Sequence, residues 1–175
     1  VYVAGQLTTP GLWKFRSTHC PPPAVVVNLV SVTNAKCYGS NTGAIDITPT
    51  GGTTPYSYHW SNNATTQDLN NVPAGTYFVT VTDGFGNNAV LFEDVTEPPV
   101  LTYEVTTSDF HGTPISCNGE KDGAIQLSAL GGKPPYEFGW STGSQTSSIK
   151  GLAAGAYTCT LTDAAGCSQS VSIML

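Results

Sequence analysis

The residues that could do chemistry in this chain are five cysteines, three histidines and twelve carboxylates, and their spacing argues against most of it. No Cys-x-x-Cys pair occurs, and His19-Cys20 has no second pair at zinc-ligand spacing. No serine sits in a nucleophile-elbow setting, which needs a strand turning into a helix, and no histidine has positional support as a partner for Cys159. Asp83 and Asp163 open the turns Asp-Gly-Phe-Gly and Asp-Ala-Ala-Gly, where an aspartate caps backbone amides. The rival reading of these two aspartates, joined by Glu93, Asp94 and Glu97, is calcium, although no Asp-x-Asp-x-Asp run is present. No cofactor is otherwise expected. Tyr56 with Tyr58, and Tyr136 with Phe138, are the residues on which a sugar could stack, but alternation puts Tyr56, Tyr58 and Trp60 on one face, which favours burial.

The elements that must position these residues are set by a duplication. Cys37 recurs as Cys117, Gly51-Gly52 as Gly131-Gly132, Pro55-Tyr56 as Pro135-Tyr136, Trp60 as Trp140, Tyr77 as Tyr157 and Asp83 as Asp163, always 80 residues on and without a gap. Turn residues and core aromatics repeat, whereas His59 aligns with Gly139 and His111 has no counterpart. A repeated structural or adhesive module fits this pattern better than an enzyme. The chain divides into residues 1–23, which match neither copy, 24–98 and 99–175. Glu97-Pro98-Pro99 forms the seam, because consecutive prolines donate no ladder hydrogen bonds and favour an extended spacer.

No stretch carries apolar residues at a helical period, and Gly, Pro and Thr clusters interrupt the chain about every twelve residues. The first copy reads as strands near Val25–Thr33, Gly43–Thr50, Tyr56–Ser61, Thr66–Leu69, Thr76–Asp83 and Ala89–Thr96. The second repeats them near Leu101–Thr107, Gly123–Ala129, Tyr136–Ser141, Ser147–Ile149, Ala156–Asp163 and Ser168–Met174. The fold class is all-β, with two tandem immunoglobulin-like β-sandwiches. Alternation turns Tyr77, Val79 and Val81 to the first core and Tyr157, Cys159 and Leu161 to the second. Trp60 and Trp140 are the central side chains. Cys159, standing where the first copy has Val79, is expected to be a free, buried thiol.

Only 10% of the residues are charged, against about 25% in an average domain, and the net charge is −6. Six basic residues make no patch for a nucleic-acid backbone. No apolar run is long enough to insert into a membrane. The chain begins at Val1 without a signal-peptide pattern, as a mature piece or fragment would. Composition and cysteine content point to an extracellular or cell-surface location.

The order Cys117, Gly123-Ala124-Ile125, Gly131-Gly132, Pro135-Tyr136, Trp140-Ser141, Ala154-Gly155-Ala156-Tyr157, Thr162-Asp163 and Gly166-Cys167 resembles the SprB repeat of Bacteroidota cell-surface proteins. The first copy follows it from Cys37 to Gly86 but has Asn87 in place of the second cysteine. The resemblance implies a module strung in tandem in long secreted adhesins, with no enzyme activity. Its pattern implies a disulfide between Cys117 and Cys167. Cys37, deprived of its counterpart, is then left to Cys20, the cysteine outside the repeats.

The leading expectation is a non-enzymatic stalk or adhesive repeat of a larger surface protein that meets a surface ligand, either a glycan or another cell-surface protein. Two alternatives stand beside it. One is a filament subunit that polymerises with its own kind when the N-terminal segment adds a strand to a neighbour's sheet edge. The other is a carbohydrate-binding module.

Overall fold

The structure is a computed structural model that describes residues 6–7, 13–14 and 23–175. In the N-terminal segment β1 (Gln6–Leu7) pairs antiparallel with β2 (Trp13–Lys14). The rest of that segment, including His19 and Cys20, lies outside the described residues.

The first copy supplies β3 (Val26–Thr33), β4 (Gly43–Thr50), β5 (Ser57–Trp60), β6 (Leu69–Val72), β7 (Gly75–Thr82) and β8 (Asn88–Val95). They form two antiparallel sheets, β3-β4-β6 and β5-β7-β8. The second copy supplies β9 (Thr102–Thr107), β10 (Gly123–Leu130), β11 (Tyr136–Trp140), β12 (Ser148–Leu152), β13 (Ala156–Asp163) and β14 (Ser168–Met174). Its sheets are β9-β10-β12 and β11-β13-β14. The two orders are those of an immunoglobulin sandwich with strands A, B and E facing C, F and G. No helix occurs among the described residues.

Period-two alternation builds the cores. Ile45 and Ile47 of β4 face Val79 and Val81 of β7 across the first sandwich, each fully buried, with Trp60, Leu69, Val72, Tyr77 and Val95 around them. Ile125, Leu127, Trp140, Ile149, Leu152, Cys159 and Val171 make the second core. Trp60 and Trp140 are 1% and 5% exposed, and each indole Nε1 donates to a carbonyl, Thr66 at 2.9 Å and Thr146 at 2.8 Å. A buried indole N–H left unpaired would cost about 1–3 kcal/mol, so the loop after the Trp strand is shaped to meet it. Tyr77 donates to the Pro73 carbonyl and Tyr157 to the Ala153 carbonyl, both at 2.9 Å. These are tyrosine corners at the start of strand F, which pin the preceding turn to the strand. Tyr77 is buried and Tyr157 half-buried.

Two elements depart from the expected pattern. In β3 a bulge between Leu29 and Ser31 leaves Val30 unpaired, and Val26, Leu29 and Val30 are exposed despite their apolar character. Strand β6 begins at Leu69, not Thr66. The side chains of Gln67 and Asp68 take the places of ladder groups there: Gln67 Nε2 donates to the Ile47 carbonyl at 2.7 Å, and Asp68 Oδ1 accepts from Ile47 N at 3.1 Å.

Candidate functional site: the junction between the repeats

Each sandwich has an entry end and an exit end, and the entry end is built by the same residues twice. At the entry end Gly52 N donates to the Pro23 carbonyl at 2.7 Å, and Gly132 N to the Pro99 carbonyl at 2.9 Å. Gly52 and Gly132 have φ of +59° and +57°, and a Cβ on either would stand 2.8 Å from an Oδ2, of Asp83 and Asp163 respectively. Only glycine allows both the backbone conformation and that approach.

Asp83 and Asp163 are each 4% exposed. Asp83 Oδ1 accepts from the backbone N–H of Phe85 (2.9 Å) and Asn87 (2.8 Å), and Oδ2 from Thr53 N (3.1 Å) and Asn87 Nδ2 (3.0 Å). Asp163 accepts from Lys133, Ala165 and Cys167, all at 2.9 Å. Every lone-pair direction of the Asp83 carboxylate faces an N–H donor, the opposite of the empty oxygens that calcium coordination asks for. Asp94 and Glu97 are engaged as well, Asp94 by the Thr76 hydroxyl at 2.7 Å and Glu97 by Gly39 N at 2.6 Å. Asp83 and Asp163 therefore serve the turns. Among the described residues no group of three or more His, Cys, Asp or Glu is placed to hold a metal ion.

The hydrogen bond from the Asn87 side chain holds the Asp83 carboxyl below its ordinary value of 3.8, helped by backbone donors and opposed by burial. For Asp163 burial pushes the other way, and the N–H groups of Cys167, Lys133, Ala165 and Gly166 outweigh it. Both folded values lie below the unfolded ones. Their contribution is complete above the unfolded value near 3.8 and is lost as pH falls through the depressed folded values. Acid titration followed by near-ultraviolet circular dichroism should give an unfolding transition below about pH 4 that moves to higher pH in Asp163→Asn. Asparagine keeps the shape and loses the charge. An unmoved transition would show that the amides are indifferent to it.

At the exit end of the first repeat Ala35 N donates to the Thr96 carbonyl and Thr96 N to Asn34 Oδ1, both at 2.9 Å. The following loop carries Cys37, with Ser40 N donating to its carbonyl at 3.1 Å. Cys37 is bonded to Cys167, in the β13–β14 turn of the second repeat, with a Cα–Cα distance of 5.7 Å. Cys167 Sγ also lies 3.5 Å from the Lys36 carbonyl oxygen. The bond joins the exit end of one sandwich to the entry end of the next, beside a shallow cleft lined by Asn34, Lys36, Glu97, Lys133 and Ala165.

This pairing corrects both expected disulfides. Cys117 does not meet Cys167, because the two lie at opposite ends of the same sandwich; Cys117 is free and exposed. Cys37 is taken by Cys167, so it is not the partner of Cys20, which lies outside the described residues. Cys159 is free and fully buried, and burial pushes its thiol above the ordinary 9.0.

The remaining candidates separate by face. Tyr56, Tyr58 and Phe138 are half-buried against the cores. The Tyr56 hydroxyl donates to the Gly51 carbonyl, and that of Tyr136 to the Gly131 carbonyl. His59 and His111 are exposed. Gly139-Trp140-Ser141-Thr142-Gly143 spells the letters of a nucleophile elbow, yet the turn there leads on to β12 and not to a helix. Ser141 Oγ accepts from Thr158 N at 3.2 Å, as Ser61 Oγ does from Phe78 N at 3.3 Å. It is a structural position in both repeats. Sequence alternation turns one aromatic pair outward: Phe78 and Phe92 oppose each other across β7 and β8, with ring centroids 5.6 Å apart. They are 39% and 65% exposed beside Val90, and their equivalents in the second repeat are Thr158 and Ser172.

Sheet order, buried strand-C tryptophan and tyrosine corner make this chain a tandem of two immunoglobulin-like β-sandwiches. The SprB repeat family matches two segments of the chain, residues 29–65 and 112–145. A search of solved structures finds Dpr11 IG1 bound to DIP-gamma IG+IG2 at 12% identity and a TM-score of 0.30, covering 86% of this chain and 98% of that one. It also finds Dpr2 Ig1-Ig2 in complex with DIP-Theta Ig1-Ig3 at 12% identity and a TM-score of 0.27, covering 86% of this chain and 66% of that one. No curated protein matches the sequence. No helix among the described residues is long and apolar enough to cross a membrane.

Proposed function

We propose that the chain is a non-enzymatic, load-bearing segment of an extracellular surface protein, in which successive sandwiches are stapled end to end. The observation that carries this reading is the Cys37–Cys167 bond, which ties two repeats together where a peptide linker alone would let them swing. A disulfide between modules also requires an oxidising compartment, which supports a location outside the cytosol. The buried carboxylates are spent on turn amides, and the exposed histidines stand apart from them, which supports a role without catalysis.

Small-angle X-ray scattering of the purified chain tests the staple. The oxidised form should scatter as an elongated pair of beads with a well-defined separation, and reductant should broaden that separation. An oxidised form as broad as the reduced one would remove the reading.

The Phe78–Phe92 pair favours an adhesive share in this role, since a pure spacer has no use for two exposed rings on one repeat. Beads coated with the chain should lose adhesion to cells in Phe78→Ser/Phe92→Ser while melting is unchanged. Adhesion equal to that of the parent would leave only the spacer.

A further inference from the structure

The exit loops of the two repeats differ in length, residues 34–42 against 108–122, but share the turn that carries the cysteine, and only one of the two cysteines is bonded. Glu120 N donates to the Cys117 carbonyl at 3.1 Å, as Ser40 N does to that of Cys37. Gly119 has φ of +91° where Gly39 has +69°. The loop also sits at the same end of its sandwich. A Cβ on Gly43 would meet Val95 and the Val72 carbonyl; a Cβ on Gly123 would meet Leu175 and the Leu152 carbonyl, with Ile115 beside them. Cys117, two residues after Ile115, is exposed and free. Its equivalent Cys37 is already in a disulfide, so this turn is shown to deliver a sulfur to an incoming module.

We propose that Cys117 is the exit half of a second inter-module staple, whose partner is a following module of this same repeat type with a cysteine in the turn position that Cys167 holds here. The proposal rests on the stapled-segment reading above and adds polarity to it. At the entry end of the first repeat that turn position is Asn87, whose side chain is committed to Asp83, so the staple cannot be made there. The segment therefore extends covalently in one direction through these positions, from each exit loop into the next module.

Bond formation is balanced with a disulfide oxidant such as oxidised glutathione. The turn cysteine of the following module first attacks the oxidant, forming a mixed disulfide and releasing one glutathione thiol. The Cys117 thiolate, having given up its proton, attacks the module's sulfur and expels the second glutathione. Two thiols are oxidised and one glutathione disulfide is reduced. A short linker supplies the high effective concentration that favours this pair over others.

The full chain, extended after Leu175 by a second copy of Thr96–Leu175, is folded with oxidised glutathione, alkylated and peptide-mapped. Cys117 should be lost from the alkylatable pool and recovered bonded to the added module's turn cysteine. If Cys37–Cys167 forms and Cys117 stays alkylatable, the proposal is overturned and the stapled pair survives. If neither bond forms, both readings fall. A second arm avoids dependence on the added module: concentrated Asn87→Cys chain should give oligomers linked between Cys117 and the new cysteine. Links in statistical proportion, with Cys117 joined to Cys117 as often, would overturn the proposal.

Discussion

Trp60→Ala destabilises the first repeat by about 3–5 kcal/mol. The indole is 1% exposed and packs among Ile45, Ile47, Val79 and Val81, all of them fully buried, so its removal leaves a cavity that rigid strands cannot collapse. The Thr66 carbonyl also loses its donor. A repeat of about 75 residues has roughly 4–11 kcal/mol in all, so the variant is at or near the edge of folding. Trp60→Phe should fall between variant and parent, because it keeps ring volume and still orphans the carbonyl. Denaturant titration in a Trp13→Phe background, where Trp140 is the one tryptophan left to fluoresce, read alongside circular dichroism, should show the first repeat melting early and the second close to its parent midpoint. Each sandwich has its own core, so the effect stays on one side of the seam. An alanine variant that unfolds with the parent would mean the indole is not central.

That tryptophan was legible in the sequence because three independent signals agreed on it: the 80-residue recurrence, the alternation along β5 and the preceding Pro-Tyr. Strand alternation likewise placed Val79, Val81 and Leu161 in the cores. Physical reasons account for what was not legible. Alternation describes a strand paired in register, so it could not foresee the bulge that turns Val30 outward in β3. It treats β6 as backbone alone, whereas Gln67 and Asp68 complete the ladder with side chains. The disulfides failed for a larger reason: a family pattern of two cysteines invites pairing within one repeat, although the pattern also fits sulfurs at opposite ends of a sandwich. Cys37 and Cys167 are 130 residues apart in sequence, and nothing in composition or periodicity reports which ends of two modules meet. Asn87 was the available signal, since losing the entry cysteine of the first repeat leaves Cys37 and Cys167 as the pair across the seam.

Reducing the Cys37–Cys167 bond changes what the chain does under tension more than anything else that can be done to it. When the two ends are pulled apart, force passes through the disulfide, and the residues between the cysteines carry none of it, whether folded or not. The sequence separation is 130 residues, and at about 3.3–3.6 Å per residue their release lengthens the chain by roughly 430–470 Å. Single-molecule stretching of the oxidised chain should show neither sandwich opening into that length, and reductant should make both unfolding events appear. Cys37→Ser/Cys167→Ser should behave as the reduced parent with or without reductant, which separates the bond from other effects of the reagent. Equilibrium stability moves the same way. If one repeat unfolds while its neighbour stays folded, linker and disulfide close a loop of roughly 60–70 residues, and the lost chain entropy resists that unfolding by about 4 kcal/mol. Identical force–extension traces before and after reduction would show that load does not run through the bond. A module that merely spaces a ligand from a surface gains little from such protection, whereas in one that is pulled upon the bond takes the strands between the cysteines out of the load and leaves β3 and β14, which lie outside them, to resist it through their own sheet pairing.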